Sequence, residues 1–149
     1  MTEPDAGVPK GKQTVLGLYV TAREAYEQCR AAPDRVKIID VRTPEEFMWV
    51  GHAPIAWKIP FVAVKYQWDA EKKQFPVYPL PDFLARVRQV ATPEDTLMLM
   101  CRSGGRAAMA INLLAQAGFK NVYNIVDGME GDAVQDPDSI FNGRRLKNG

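Results

Sequence analysis

The chain is poor in the residues that build crosslinks, metal centres and membrane spans. It has two cysteines, Cys29 and Cys101, and one histidine, His52, among 149 residues. Two cysteines make no disulfide framework, and one histidine without a paired-cysteine motif makes no zinc-type ligand set. No apolar run approaches the roughly 20 residues of a membrane helix, and the polar stretch Met1 to Gln13 lacks the apolar centre of a secretory signal. An excess of one charge is lacking too: 19 Lys and Arg stand against 18 Asp and Glu. That balance gives no case for a nucleic-acid partner or a basic membrane face. No cofactor and no metal are expected, and a reducing cytoplasm is the simplest home for the thiols.

What is present fits one α/β domain. A chain of 149 residues holds one core comfortably and two poorly. The pattern divides into a flexible segment 1–13, a domain 14–131 and a tail 132–149 at the surface or loosely packed. Thr21 with Glu24 reads as a capping box, opening a helix that carries Ala25, Cys29 and Ala32 until Pro33-Asp34. Val36 to Val41 reads as a buried strand, and Thr43, Pro44 and Glu46 open a short second helix ending near Gly51. Ala56 to Ile59 is a brief strand stopped by Pro60, after which Phe61 to Pro81 fits neither period and reads as a surface excursion. Helical spacing resumes over Asp82 to Val90. Strands separated by helices imply a mostly parallel central sheet with helices on both faces.

The chemistry concentrates at Cys101. Leu97 to Met100 is wholly apolar and suits a buried strand, while Ala107, Ala110, Ile111, Leu114 and Ala115 recur at helical spacing before a stop at Gly118. Between them lies Cys101-Arg102-Ser103-Gly104-Gly105-Arg106. A strand-to-helix turn aims amide N–H groups and the positive end of the helix dipole into its hollow. With Arg102 and Arg106 as neighbouring cations, a thiol placed there is expected to ionise and act as a nucleophile. Ligands of such sheets bind beyond the carboxyl ends of the strands, where Cys101 would stand. A buried structural cysteine is the weaker reading, because the glycines, the arginines and the element order all agree on a reactive one.

This run resembles the active-site loop of the rhodanese-type sulfurtransferases, in which the first cysteine of a six-residue loop carries a persulfide. The resemblance extends to Ile38-Ile39-Asp40-Val41-Arg42, to Thr43-Pro44-Glu45-Glu46-Phe47, to Gly51-His52-Ala53-Pro54 and to Gly118 through Ile125. It covers roughly Val20 to Gly131. It implies a sulfurtransferase that moves a sulfane sulfur from a donor such as thiosulfate to an acceptor, cyanide in the assay or a biological thiol, with a protein acceptor as a further option.

On this resemblance Cys101 is the nucleophile and Arg102, Ser103, Gly104, Gly105 and Arg106 form the substrate-binding loop. Arg102 is expected to read donor oxygens with its planar fork, and Ser103 to bond the donor or cap the helix. Asp40 is expected to pair with Arg106, and Arg42, Glu46 and His52 to support the site rather than react. Cys29 is expected to fill the core. Trp57, Trp68, Phe75 and Tyr78 are candidate walls, with Trp57 assigned to packing. The chain departs from the family at Asp127-Gly128-Met129-Glu130-Gly131-Asp132, where relatives carry two glycines and a tryptophan, and at Ile55, where they carry glycine.

Two rivals stand beside this reading. One is a non-catalytic rhodanese-like module for regulation or docking, which commonly loses the cysteine kept here. The other is cysteine phosphatase or arsenate reductase chemistry, disfavoured because those loops place five residues between cysteine and arginine. Here four residues separate Cys101 from Arg106, and the narrower hollow suits a lone sulfur.

Overall fold

The computed structural model describes residues 7–133, 135–140 and 142–147. Its centre is a five-stranded sheet built from β1 (Tyr19–Val20), β2 (Val36–Asp40), β3 (Trp57–Lys58), β6 (Thr96–Met100) and β7 (Val122–Ile125), in the order β1-β7-β6-β2-β3. All four pairings are parallel. Helices α1 (Ala22–Ala31), α2 (Pro44–Trp49), α3 (Phe83–Val90) and α4 (Gly105–Gln116) connect the strands. Among the described residues no helix is long and apolar enough to cross a membrane.

The alternation of each strand sorts its residues between two cores. Ile39, Leu97, Leu99 and Val122 face α3 and α4, where they pack with Phe83, Val87, Ala110, Ile111 and Leu114. Ile38, Met98, Met100 and Ile125 face the other way, onto Ala25 and Cys29 of α1. Helices therefore cover both faces. The near-continuous apolar runs of β2 and β6 follow from burial on both sides.

Local signals set the helix starts. Both capping boxes form: the Thr21 hydroxyl accepts the Glu24 N–H and the Thr43 hydroxyl accepts that of Glu46, each glutamate returning a bond to its cap residue. At the far end of α4, Gly118 takes φ +97° and the Phe119 N–H reaches back to the Leu114 carbonyl, the glycine stop that the sequence predicts.

Three segments carry local structure that the sequence pattern leaves unassigned. The excursion Phe61 to Pro81 contains an antiparallel hairpin, β4 (Val62–Val64) with β5 (Val77–Pro79). It is tied to the core where the Phe61 N–H donates to the Val41 carbonyl and the Leu80 N–H to that of Phe61. The described part of segment 1–13 is ordered by contacts: Lys10–Lys12 forms one turn of 3-10 helix, Lys12 Nζ donates to the Val126 carbonyl at 2.8 Å, and Asn124 Nδ2 donates to the Lys12 carbonyl at 2.9 Å. In the tail, β8 (Asp132–Ala133) pairs antiparallel with β9 (Arg145–Lys147). Positions 1–6, 134, 141, 148 and 149 lie outside the described residues.

Candidate active site

The register of the two central strands creates the site. Asp40 pairs with Met100, so β2 and β6 end level with each other. Cys101 follows immediately and is 1% exposed. Its Sγ accepts the N–H of Gly104 at 3.0 Å and, more distantly, that of Ala107 at 3.4 Å. The loop closes this tightly because Gly104 takes φ +104°, a conformation costly to any residue with a Cβ. Helix α4 begins at the next residue, and its first amides and dipole converge on the sulfur. Negative charge on Sγ is what such an arrangement stabilises.

Ser103 does not cap this helix. Gly104 occupies the cap position, without a side-chain bond. The cap's carbonyl is instead held from below by Asn124, whose Nδ2 donates to it at 3.0 Å. Asn124 is fully buried on β7 and joins the loop to the N-terminal 3-10 turn. Sequence reasoning missed it, and the only signal was one polar residue in the apolar run Val122-Tyr123-Asn124-Ile125.

The pairing of acids and arginines corrects one expectation. Asp40 does not pair with Arg106; it pairs with Arg42, at 2.8 Å between Oδ2 and Nη2, with both side chains fully buried. Residues two apart on an extended chain share a face, so the local partner was geometrically preferred. Arg42 Nη2 also donates to the Gly51 carbonyl at 2.7 Å, fastening the turn after α2. Arg106 pairs with Glu46 instead, in a bidentate contact at 2.5 and 2.9 Å. Glu46 thus closes its helix cap and anchors the end of the loop, 60 residues away in sequence.

Electrostatics follow from that pair. Burial works against the Glu46 carboxylate, but the hydrogen bond and charge of Arg106, together with the Thr43 bonds, hold it below the ordinary carboxylate range. The Glu46 hydrogen bond likewise holds Arg106 above its ordinary value against burial, with smaller contributions from the charges of Cys101 and Asp40. A carboxylate lowered in this way stabilises the fold fully above its unfolded value, near 4.5, and the contribution fades as pH falls through the lower native value. Glu46→Gln keeps the capping box and removes only the ionic part. We expect it to cost on the order of 1 kcal/mol at neutral pH. The loss of melting temperature below about pH 4.5 should be shallower in the variant than in the wild type. Parallel acid limbs in thermal melts would reject this role for the pair.

On the other flank, Arg102 meets the family departure. Its Nε lies 3.0 Å from Glu130 Oε2, and the backbone repeats the contact: Met129 N–H donates to the Cys101 carbonyl and Glu130 N–H to that of Arg102. The segment approaches this closely because residue 128 is glycine, at φ +65°. A Cβ there would stand 2.6 Å from the Ser103 nitrogen and closer still to the Arg102 carbonyl. Gly128→Ala should therefore displace the loop and slow chemistry at Cys101 by roughly a hundredfold. Gly118→Ala, with φ +97° but open space around its Cβ, should carry only the backbone strain of about 1–2 kcal/mol. Equal effects of the two variants on reaction at Cys101 would show that the close approach is unimportant.

Between the loop and the hairpin opens a cleft of about 710 Å³, lined by Glu45, Glu46, Tyr66, Phe75, Val77, Arg102 and Arg106 among others. Of the four aromatic candidates, Phe75 lines it and Trp68 braces Phe75 edge-on, with centroids 5.2 Å apart. Trp57 is half exposed on the edge strand β3 and borders a different hollow, with Tyr26 and Cys29, so it does not wall this cleft. His52 stacks on Phe47 at 3.7 Å and bonds the Phe47 carbonyl through Nδ1, a supporting position away from the sulfur. Among the described residues no group of three His, Cys, Asp or Glu is placed to hold a metal.

Fold and loop together define a class: a parallel α/β domain that presents one buried cysteine to the amides of a strand-to-helix turn. Within that class the chain belongs to the rhodanese-like domain family, whose model matches residues 21–133. It is 33% identical over 97 residues to an uncharacterized protein of Rickettsia prowazekii, covering 64% of this chain and 70% of that one. It is 36% identical over 92 residues to thiosulfate sulfurtransferase 16, chloroplastic, of Arabidopsis thaliana, covering 62% and 69%. Among solved structures, Rv0390 from M. tuberculosis superposes with a TM-score of 0.64 at 24% identity, over 87% of this chain and 88% of that one. The polysulfide-sulfur transferase of Wolinella succinogenes shares the fold at a TM-score of 0.54 and 23% identity, over 75% and 69%.

Proposed function

We propose that the protein is a sulfurtransferase that carries a sulfane sulfur on Cys101 from a small donor to a thiophilic acceptor. The observation that supports this most directly is the pair of amides, Gly104 and Ala107, aimed at Sγ from the N-cap and first turn of α4. In the first half-reaction the Cys101 thiolate attacks the outer sulfur of the donor. With thiosulfate, the new bond is Sγ–S, the donor's S–S bond breaks, and its electron pair leaves on sulfite. The terminal sulfur of the resulting persulfide is an anion beside preorganised N–H donors, which need not reorient as charge moves onto it. In the second half-reaction an acceptor attacks that terminal sulfur and the thiolate is regenerated. Cyanide would leave as thiocyanate, and a thiol as its persulfide. The chemistry is covalent and two-step, with ping-pong kinetics, and asks for no cofactor.

The relative of Arabidopsis thaliana named a thiosulfate sulfurtransferase is consistent with this reading. Both cysteines are free thiols, which accords with a reducing cytoplasmic setting. The test is the intact mass of the reduced protein after exposure to a panel of sulfur donors, with thiosulfate at saturating concentration. A gain of one sulfur atom, removed again by cyanide, is the expected result. An unchanged mass with every donor would refute the carrier role.

A further inference from the structure

One polar side chain stands inside an otherwise apolar core. Asn124 is fully buried on β7, as are Val122 and Ile125 of the same strand. Its Nδ2 donates to two backbone carbonyls, that of Lys12 at 2.9 Å and that of Gly104 at 3.0 Å, which uses both hydrogens of the amide. Its Oδ1 is buried without a hydrogen-bond partner among the described residues. A buried polar atom left unpaired is destabilising, so the reason for an amide here lies on its nitrogen. A carboxylate gives no hydrogen and a hydroxyl gives one; the uncharged group that gives two from one atom is the primary amide.

What that nitrogen holds is the swivel of the loop. Gly104 gives its N–H to Cys101 Sγ and receives Asn124 and the Ala108 N–H on its carbonyl. The N–H and the carbonyl belong to different peptides, joined at a Cα that carries no Cβ and stands at φ +104°. Glycine rotates there more freely than any other residue, so the aim of the N–H depends on what grips the carbonyl. The Ala108 bond ties the carbonyl only to the helix it starts. Asn124 ties it to the sheet, in register with Leu99 of β6, two residues before the cysteine. Donor and sulfur are thereby referred to one pair of strands. Lys12 closes the far side: its Nζ donates to the Val126 carbonyl, and its stem lies 3.1 Å from where a Cβ on Gly104 would stand.

We infer that Asn124 is a positioning residue for the chemistry of Cys101, keeping the Gly104 N–H on Sγ by its grip on the Gly104 carbonyl. The inference rests on the carrier role of Cys101. Asn124 acts through Gly104 rather than on the sulfur, and it moves no proton. Its effect is felt where charge sits on Sγ. That is so before loading, and again on discharge, when the acceptor bonds the terminal sulfur, the S–S bond breaks and its electron pair returns to Sγ. A donor already in place at that moment needs no reorganisation.

The experiment compares the wild type with Asn124→Leu, which keeps the volume and loses both donors, and with Asn124→Ala, which loses them and leaves a cavity. Two rates are read: iodoacetamide addition to Cys101 at pH 6 and at pH 9, located by peptide mass, and cyanide discharge of the loaded persulfide. In both variants the pH 6 rate should fall relative to that at pH 9 by about threefold or more, and discharge should slow by roughly tenfold. The two variants should agree in these losses although Asn124→Ala melts lower. The charged pairs around the loop, Arg106 with Glu46, Asp40 with Arg42 and Arg102 with Glu130, are the same in every protein compared. Cys29→Ser, altered on the opposite face of the sheet, should keep the wild-type ratio, as Asn124→Leu would if Asn124 were merely structural. A ratio unmoved in both variants, or losses that follow melting temperature rather than the missing donors, overturns the inference. In the wild type itself the Gly104 amide should exchange with solvent at least roughly a hundredfold more slowly than a free peptide. Exchange at the free rate overturns the inference whether or not the variants fold. A wild type that loads no sulfur refutes the carrier role, and the alkylation ratio then tests the grip on Gly104 by itself.

Discussion

Cys101→Ser is expected to lose sulfur transfer by at least roughly a thousandfold while melting within a few degrees of the wild type. Both halves of that expectation come from the same geometry. The side chain at 101 is buried and accepts two backbone N–H groups, and a serine oxygen can accept them too, so the turn keeps its partners. What serine cannot do is accept a sulfane sulfur to form a persulfide. The amides then have no anion to stabilise. Cys29→Ser is the companion measurement. Cys29 packs under α1 with Val20, Ala25, Ile38 and Met98, on the face of the sheet opposite Cys101, so it should cost stability and leave loading intact. A Cys101→Ser protein that still gains a cyanide-labile sulfur would move the chemistry to another residue.

How much of this was legible before the structure depends on how local each signal is. The two capping boxes, the apolar run of β6, the Ala-rich face of α4 and the glycine stop at Gly118 are written within a few residues of one another, and each forms as predicted. The loop from Cys101 to Arg106 was legible for the same reason: strand, glycines and helix are contiguous. The hairpin was not. Val62–Val64 and Val77–Pro79 are short and show no polar alternation, and the second is bounded by prolines, so their pairing appears only once the chain between them folds back. Partner choice among charges was also invisible at long range. Nothing in the sequence joins Glu46 to Arg106 across 60 positions, or Arg102 to Glu130. For Asp40 the signal was present and was outweighed by family resemblance, since Arg42 two residues on shares its face of the chain. The demand for glycine at 128 is purely tertiary: it exists because Arg102 and Ser103 pass against it.

That buried Asp40–Arg42 pair carries the largest expected effect on stability. Both side chains are inaccessible, and the Asp40 carboxylate accepts the guanidinium Nε at 3.0 Å and Nη2 at 2.8 Å together with the Arg42 backbone N–H at 3.1 Å. Beyond it Arg42 retains the Gly51 carbonyl, while Nη1 is already buried without a protein partner. Asp40→Ala therefore leaves a charged group in an apolar setting with one hydrogen bond. Breaking such a pair from one side costs about 3–5 kcal/mol, which in a chain of this size lowers the melting temperature by roughly 6–20 °C. The damage should reach the site, because Arg42 fastens the Gly51 turn at the end of α2, and α2 carries the Glu46 that holds Arg106. Sulfur loading in the surviving folded fraction should fall as well. Asp40→Ala combined with Arg42→Met separates charge from packing: with neither ion present, most of the lost stability should return, whereas the Gly51 fastening, and with it full activity, should not. A single Asp40→Ala variant that melts with the wild type, or a double variant no more stable than the single one, would show that the buried charge is not what this pair protects.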